Sequence, residues 1–156
     1  MEVEGEGQLK RTDAHAESSV AADDGSVAVS APDSRRTRHR LSDFSEPPPG
    51  EKAVATVAGR RVVIVNVAGT LRAVGATCAH QGGSLELGGV FDEVRARVDQ
   101  EGRVVDFLAE RGNVIACPWH GWEYDLRTGR CLWNSRYRVA TYRVEREDDG
   151  GISVWV

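Results

Sequence analysis

Residues 117–129 read Cys-Pro-Trp-His-Gly-Trp-Glu-Tyr-Asp-Leu-Arg-Thr-Gly, which places a cysteine and a histidine three positions apart in front of a glycine. Residues 78–85 read Cys-Ala-His-Gln-Gly-Gly-Ser-Leu and repeat the pair with one residue fewer between its members. The chain has three cysteines and four histidines, and these two stretches use two of each. This concentration predicts one site with two sulfur and two nitrogen ligands, one pair from each of two loops.

Two thiolates and two imidazoles are the ligands of a Rieske [2Fe–2S] centre, in which histidines replace the cysteines on one iron. Two ferric ions and two sulfides sum to two positive charges, so four thiolates make the cluster negative, whereas the mixed set leaves it neutral. A neutral cluster accepts an electron more readily, and its imidazoles carry N–H groups that couple reduction to protonation. The ligand set therefore predicts one-electron transfer and not bond-making chemistry.

Both stretches resemble the ligand loops of the Rieske family, and a looser similarity extends over about residues 45–156. The resemblance implies one Rieske-type [2Fe–2S] cluster, whose buried iron is ligated by the two cysteines and whose outer iron is ligated by two histidines at the surface. The four implied ligands are Cys78, His80, Cys117 and His120. The family more often has proline where Ala79 stands, a difference that should alter the stiffness of the loop but not the ligation.

A Cys2His2 zinc site uses the same atoms and is the main alternative. Zinc modules of this composition usually group their ligands as Cys-x-x-Cys and His-x-x-x-His, whereas each loop here carries one cysteine and one histidine. This spacing favours two irons over one tetrahedral ion. The third cysteine, Cys131, has no histidine within two or three residues and is expected to be a structural or free thiol.

The composition of the chain changes near residue 45. Residues 1–44 contain no Trp or Tyr, a single Phe and many acidic and small polar residues, so we expect a disordered N-terminal tail. Its basic run, residues 35–40, is interpreted as solvated charge, with a partner-docking patch and a twin-arginine export signal as alternatives. The export signal requires an apolar stretch immediately afterwards, and residues 41–49 do not provide one.

From residue 52 onward, short stretches rich in β-branched residues are separated by glycine and acidic turns, and no helical period is sustained. We therefore predict an all-β domain of antiparallel strands over residues 45–156. The ligand loops lie in the middle of this domain. The resemblance implies a Rieske-type antiparallel β-sandwich base, built from both ends, with an inserted cluster-binding lobe at about residues 76–126.

Residues 90–113 add a stretch that is longer than compact members of the family need. Two β-branched segments flank a turn at residues 99–102, which predicts a β-hairpin added to the cluster-binding lobe. We favour the interpretation that this hairpin is a tolerated surface insertion. The alternative is a partner-docking element beside the exposed histidines.

Glycines and aromatic residues next to the ligands are expected to shape the site. Gly82, Gly83 and Gly121 allow the backbone to pass close to the cluster and to turn N–H groups toward its sulfurs. The aromatic residues are expected to pack over the cluster and exclude water. They are Trp119, Trp122 and Tyr124.

High-potential members of the family, as the resemblance implies, join the two loops by a disulfide and bond a serine hydroxyl to a cluster sulfur. The matching positions here are Gly83 and Trp119 for the disulfide and Trp122 for the serine, so neither device is present. Tyr124 does match a tyrosine of the high-potential group. With fewer hydrogen bonds, the reduction potential is predicted to lie near the lower end of the Rieske range.

Rieske motifs also open large oxygenase subunits, whose mononuclear iron is held by two histidines and a carboxylate. The 36 residues after His120 contain no histidine, so we expect the chain not to be an oxygenase by itself. The resemblance implies a ferredoxin-like carrier that passes single electrons from a flavin reductase to an oxygenase. The alternative is a non-catalytic subunit or accessory domain of a larger oxidoreductase such as nitrite reductase, so the implied partners are redox proteins.

The remaining features concern location and partners. No apolar run approaches membrane-spanning length, and there is neither an export signal nor a second pair of cysteines, which predicts a cytoplasmic protein without a membrane span. A net charge of −4 argues mildly against nucleic acid as a partner.

Overall fold

Two antiparallel sheets make up the fold, in a computed structural model that describes residues 35–156. The strands are β1 (Arg38–Arg40), β2 (Lys52–Val57), β3 (Arg60–Val67), β4 (Thr70–Gly75), β5 (Val90–Val98), β6 (Val104–Ala116), β7 (Glu123–Asp125), β8 (Thr141–Arg146) and β9 (Ile152–Trp155), with one 3-10 turn at Leu85–Leu87. The larger sheet has the order β1-β9-β8-β4-β3-β2 and the smaller one β5-β6-β7. The predicted all-β class is confirmed.

The larger sheet joins the two ends of the domain. Two-residue turns at Ala58-Gly59 and Ala68-Gly69, both with positive φ at each position, connect β2 to β3 and β3 to β4. This is the turn geometry that tight antiparallel hairpins favour. β4 then pairs with β8, which follows the inserted segment in sequence. The predicted base, built from both ends of the domain, is therefore present.

Strand β3 divides the interior into two cores, because successive side chains of a strand point to opposite faces. Val63 and Val65 face a core that also contains Cys78 and Cys117, whereas Ile64 faces the second core. All three of these β3 side chains are fully buried. The candidate ligand cysteines therefore rest on the packed interior of the sheet.

The folded domain begins before the predicted boundary at residue 45. β1 pairs with β9, and Leu41 and Phe44 pack against the second core. Composition gave no sign of this, because arginines can form an edge strand while their guanidinium groups stay near solvent. The Arg38 guanidinium lies 5.5 Å from the ring centre of Trp155. The rest of the expected tail, residues 1–34, lies outside the described residues, so its disorder stays a prediction.

The expected hairpin within residues 90–113 is confirmed as β5 and β6, whose pairing runs from Val90 opposite Ile115 to Val98 opposite Val104. Asp99 stabilises its turn by accepting hydrogen bonds from the backbone N–H groups of Glu101 and Arg103. In the half of the hairpin next to its turn, one face carries aliphatic side chains that are 45–72% exposed. They are Val94, Val98, Val104 and Leu108.

In residues 35–156, no helix has the length and apolar character needed to cross a membrane.

Candidate metal centre

The four predicted ligands lie on two loops that repeat one hydrogen-bond pattern. In the first loop (residues 78–83), Cys78 N–H donates to Gly83 O at 2.8 Å, and Gly82 N–H donates to Cys78 O at 3.0 Å. In the second loop (residues 117–122), the cysteine N–H donates to the carbonyl five residues later at 2.8 Å, and Gly121 N–H donates back to the cysteine carbonyl at 2.9 Å. Each loop thus needs a residue in the left-handed region four positions after its cysteine. Gly82 and Gly121 have φ of 76° and 67°.

The sulfurs of Cys78 and Cys117 are buried, and each is close enough to affect the pKa of the other. Burial alone would raise the pKa of Cys78, but hydrogen bonds from Tyr124, from the backbone N–H groups of His80 and Gln81 and from Cys117 lower it below its usual value. Burial raises the pKa of Cys117, and the neighbouring Cys78 raises it further. Two backbone N–H groups and the Tyr124 hydroxyl thus stabilise negative charge on the first sulfur.

Tyr124 is the hydroxyl donor of the site. Its Oη atom lies 3.0 Å from Cys78 Sγ, and its side chain is fully buried. Burial raises the pKa of Tyr124, and the bond to the Cys78 sulfur raises it further, so the hydroxyl stays protonated and donates a hydrogen bond to the sulfur. Tyr124 therefore lies in the protein interior beside one of the candidate ligand sulfurs.

The two histidines lie next to each other with different exposure. The ring centres of His80 and His120 are 5.0 Å apart, with the rings nearly perpendicular. His80 is half-buried and stacks on Trp122, whereas His120 is exposed. The loops therefore place two sulfurs inside the protein and two imidazoles toward its surface.

Gly83 lets the loops approach closely. A Cβ atom at this position would lie 2.7 Å from Cys117 Sγ and 3.1 Å from Trp119 Cδ2, so any larger residue would push the second loop away. Trp119 is expected from the sequence to pack over the site and exclude water, but its side chain is 61% exposed. Its ring lies over Gly83 on the solvent side and is not enclosed in the core.

A buried polar network supports the second loop from the interior side, and no pattern in the sequence indicates it. Asn113 Nδ2 donates to Asp125 Oδ2 at 3.0 Å and to Glu93 Oε2 at 3.3 Å, which links β6 to β7 and β5. All three side chains are buried. Because β6 leads directly into Cys117, this network fixes the strand that carries the second loop.

The donor chemistry fits a mixed-ligand [2Fe–2S] cluster. His80 Nδ1 is buried and has no hydrogen-bond partner in the described part of the chain. An unpaired buried nitrogen is costly unless something binds it, and imidazole nitrogen is a common metal ligand. Within residues 35–156, no three His, Cys, Asp or Glu side chains gather around a single point as one ion would require. In a two-iron cluster, each iron requires only two protein ligands.

Comparison with protein families gives a match of substantial length. The model of the Rieske [2Fe-2S] domain matches residues 38–143, which is more than half of the chain and contains both loops. The domain carries one [2Fe–2S] cluster of the Rieske type. The human Rieske domain-containing protein is 34% identical over 85 residues, which are 54% of this chain and 44% of that protein. The match thus spans less than half the length of this relative.

Solved structures share the fold at low sequence identity. A chain described as the NADH-dependent nitrite reductase small subunit of Mycobacterium tuberculosis has a TM-score of 0.58 and 20% identity, over 78% of this chain and 96% of that one. The ferredoxin of carbazole 1,9a-dioxygenase from Nocardioides aromaticivorans IC177 has a TM-score of 0.56 and 23% identity, over 76% and 96%. The terminal oxygenase of carbazole 1,9a-dioxygenase from Novosphingobium sp. KA1 has a TM-score of 0.55 and 20% identity, over 76% and 29%.

Proposed function

The chain belongs to the Rieske [2Fe–2S] domain family, and we propose that it is a one-electron carrier that passes electrons from a flavin reductase to an oxygenase. The observation that supports this most is the unequal exposure of the four candidate ligands. Cys78 and Cys117 are 3% and 2% exposed, whereas His120 is at the surface. A cluster held in this way lies close enough to the surface for a partner to exchange an electron with it. Its cysteine-ligated side is shielded from water.

In this proposal, Cys78 and Cys117 ligate the inner iron, and His80 and His120 ligate the outer iron. When bound, the cluster supplies a reversible one-electron step. The protein supplies the surroundings: backbone N–H groups and the Tyr124 hydroxyl stabilise charge on the Cys78 sulfur, and the core below excludes water. Burial and hydrogen bonds to sulfur are both known to set the potential of such clusters.

A second candidate function is a non-catalytic subunit or accessory domain of a larger oxidoreductase, such as nitrite reductase. The aliphatic face of the hairpin favours it, because Val94, Val98 and Val104 are each more than 60% exposed. Permanent interfaces are more apolar than the small contacts of transient electron-transfer partners. In either case we propose redox proteins as the partners, without nucleic acid or a membrane span, and the cytoplasm as the location.

Two measurements test this function. Protein-film voltammetry at neutral pH should give a midpoint near the lower end of the range of about −150 to +300 mV, because neither an interloop disulfide nor a serine hydroxyl supports the reduced state. A midpoint above about +100 mV would contradict a ferredoxin-type carrier. Size-exclusion chromatography of the protein from its own cells then separates the two functions. A carrier elutes alone, and a permanent subunit elutes in equal amounts with its partner.

A further inference from the structure

Trp122 connects the two loops through its ring and its backbone. Its indole stacks on the imidazole of His80 with ring centres 4.2 Å apart and an interplanar angle of 5°. Its carbonyl accepts a hydrogen bond from Cys117 N–H at 2.8 Å. One residue of the second loop therefore holds both the sulfur ligand of its own loop and the imidazole of the first loop.

The indole is itself held in place from two sides. Its other neighbour is Tyr137, whose ring meets it edge to face with ring centres 4.9 Å apart. Trp122 is also half-buried against the core that contains Cys78 and Cys117. Since an indole has only two side-chain torsions, these contacts leave little freedom for its plane, and so they fix the plane of the stacked imidazole.

No disulfide bond holds the two loops together. Cys78, Cys117 and Cys131 are all free thiols. Besides the sulfurs, the loops meet at Gly83 and through the rings around His80. His80 is the candidate ligand whose Nδ1 atom is buried without a hydrogen bond, so no polar contact at that nitrogen orients its ring.

We propose that Trp122 is a positioning residue that clamps the imidazole of His80 in the orientation required for metal ligation, across the gap between the two loops. The inference rests on the proposed assignment of His80 as a ligand. An imidazole that is already held in the correct orientation loses less conformational freedom when it binds iron. It also dissociates from the iron less often afterwards. Loosening the clamp should therefore accelerate the loss of the cluster and alter the orientation of the ring at the iron.

The test compares the loaded full-length protein with Trp122→Ala, Trp122→Phe and a matched control, Trp133→Ala. Trp133 is 72% exposed, so its replacement removes an indole from the surface and not from the site. Release of iron to a ferrous chelator is followed anaerobically, and the nitrogen hyperfine couplings of the reduced cluster are measured by pulsed electron paramagnetic resonance. Trp122→Ala should release iron on the order of two- to tenfold faster than wild type, as expected for one lost aromatic stack.

Trp122→Phe retains a flat face and should stay close to wild type, and Trp133→Ala should be unchanged. If Trp122→Ala does not fold, Trp122→Leu takes its place, since leucine fills part of the volume without a flat face. Unchanged release and unchanged couplings in the Ala or Leu variant would overturn the clamp. An equal effect in Trp133→Ala would do the same. Failure of the proposed function is a different result, because the wild type itself would then lack the cluster signal.

Discussion

At the scale of single residues, Tyr124 shows how the fold adjusts the chemistry of a sulfur. Its hydroxyl is buried, keeps its proton and lies 3.0 Å from Cys78 Sγ. A hydrogen bond to sulfur stabilises the reduced cluster more than the oxidised one, because the reduced cluster carries the additional negative charge. In the proposed site, where Cys78 is a ligand, we therefore expect the hydroxyl to raise the potential above the value that the other groups would set.

Tyr124→Phe should lower the midpoint potential by about 20–60 mV. This range follows from one hydrogen bond of about 0.5–1.5 kcal/mol and 59 mV per factor of ten for a one-electron couple. Voltammetry measures the shift directly. Tyr142→Phe is the matched control, since the Tyr142 ring packs against the second core and not against the ligand loops. A midpoint that does not move in Tyr124→Phe would show that the hydroxyl does not bond to the sulfur in the loaded protein.

The residues of the site differ in how far the sequence predicts them. The candidate ligands could be predicted because few residue types bind iron, and their spacing within each loop is local. The glycines could be predicted because few other residues adopt a positive φ, and the structure shows positive φ at Gly82 and Gly121. The stack of Trp122 on His80 and the bonds of Asn113 could not, because they join segments that are distant in sequence and depend on side-chain orientation.

At the scale of elements, the hairpin of β5 and β6 extends from the candidate site to the protein surface. Its inner end reaches the site, since Val90 pairs with Ile115 two residues before Cys117. Its outer end carries exposed aliphatic side chains. The alternation of apolar residues predicted the hairpin, but it could not predict whether the apolar face is covered, because this depends on what packs against it.

Replacing residues 96–106 by Asn-Gly should leave iron content and thermal stability nearly unchanged. Arg95 and Phe107 are paired in the hairpin, so a two-residue turn can close it at that point. Iron analysis and thermal unfolding measure the outcome. The full-length hairpin with Val105→Thr, which replaces one apolar side chain by a polar one without shortening the strands, serves as the control. Loss of most of the cluster would show that the outer hairpin supports the site, and loss of a co-eluting partner would favour the accessory-subunit function.

At the scale of the whole molecule, the described N-terminal residues close the larger sheet. β1 covers the edge of β9, and Arg146 donates to the Glu46 carboxylate at 2.6 Å and 2.8 Å, which ties the segment after β1 to β8. The composition of residues 1–44 predicted a tail throughout. That prediction was wrong for residues 38–44, because backbone pairing with β9 and two apolar anchors are enough to order a polar strand.

Two truncations test where the domain begins. Removal of residues 1–34 should leave iron content and the free energy of unfolding unchanged. Removal of residues 1–44 should destabilise the protein by about 2 kcal/mol or more, since Leu41 and Phe44 then no longer cover the second core. Denaturant unfolding of both variants measures the difference. Equal stability of the two truncated proteins would place the boundary back at residue 45.

The most direct test of the central claim is electron paramagnetic resonance of the chemically reduced protein, with metal analysis of the same sample. We predict two irons and two sulfides in each chain and a [2Fe–2S] signal with nitrogen ligation, all lost in Cys117→Ser, because that thiolate holds the inner iron. Zinc in place of iron would contradict the account. So would a reducible iron–sulfur signal that survives in Cys117→Ser with undiminished iron.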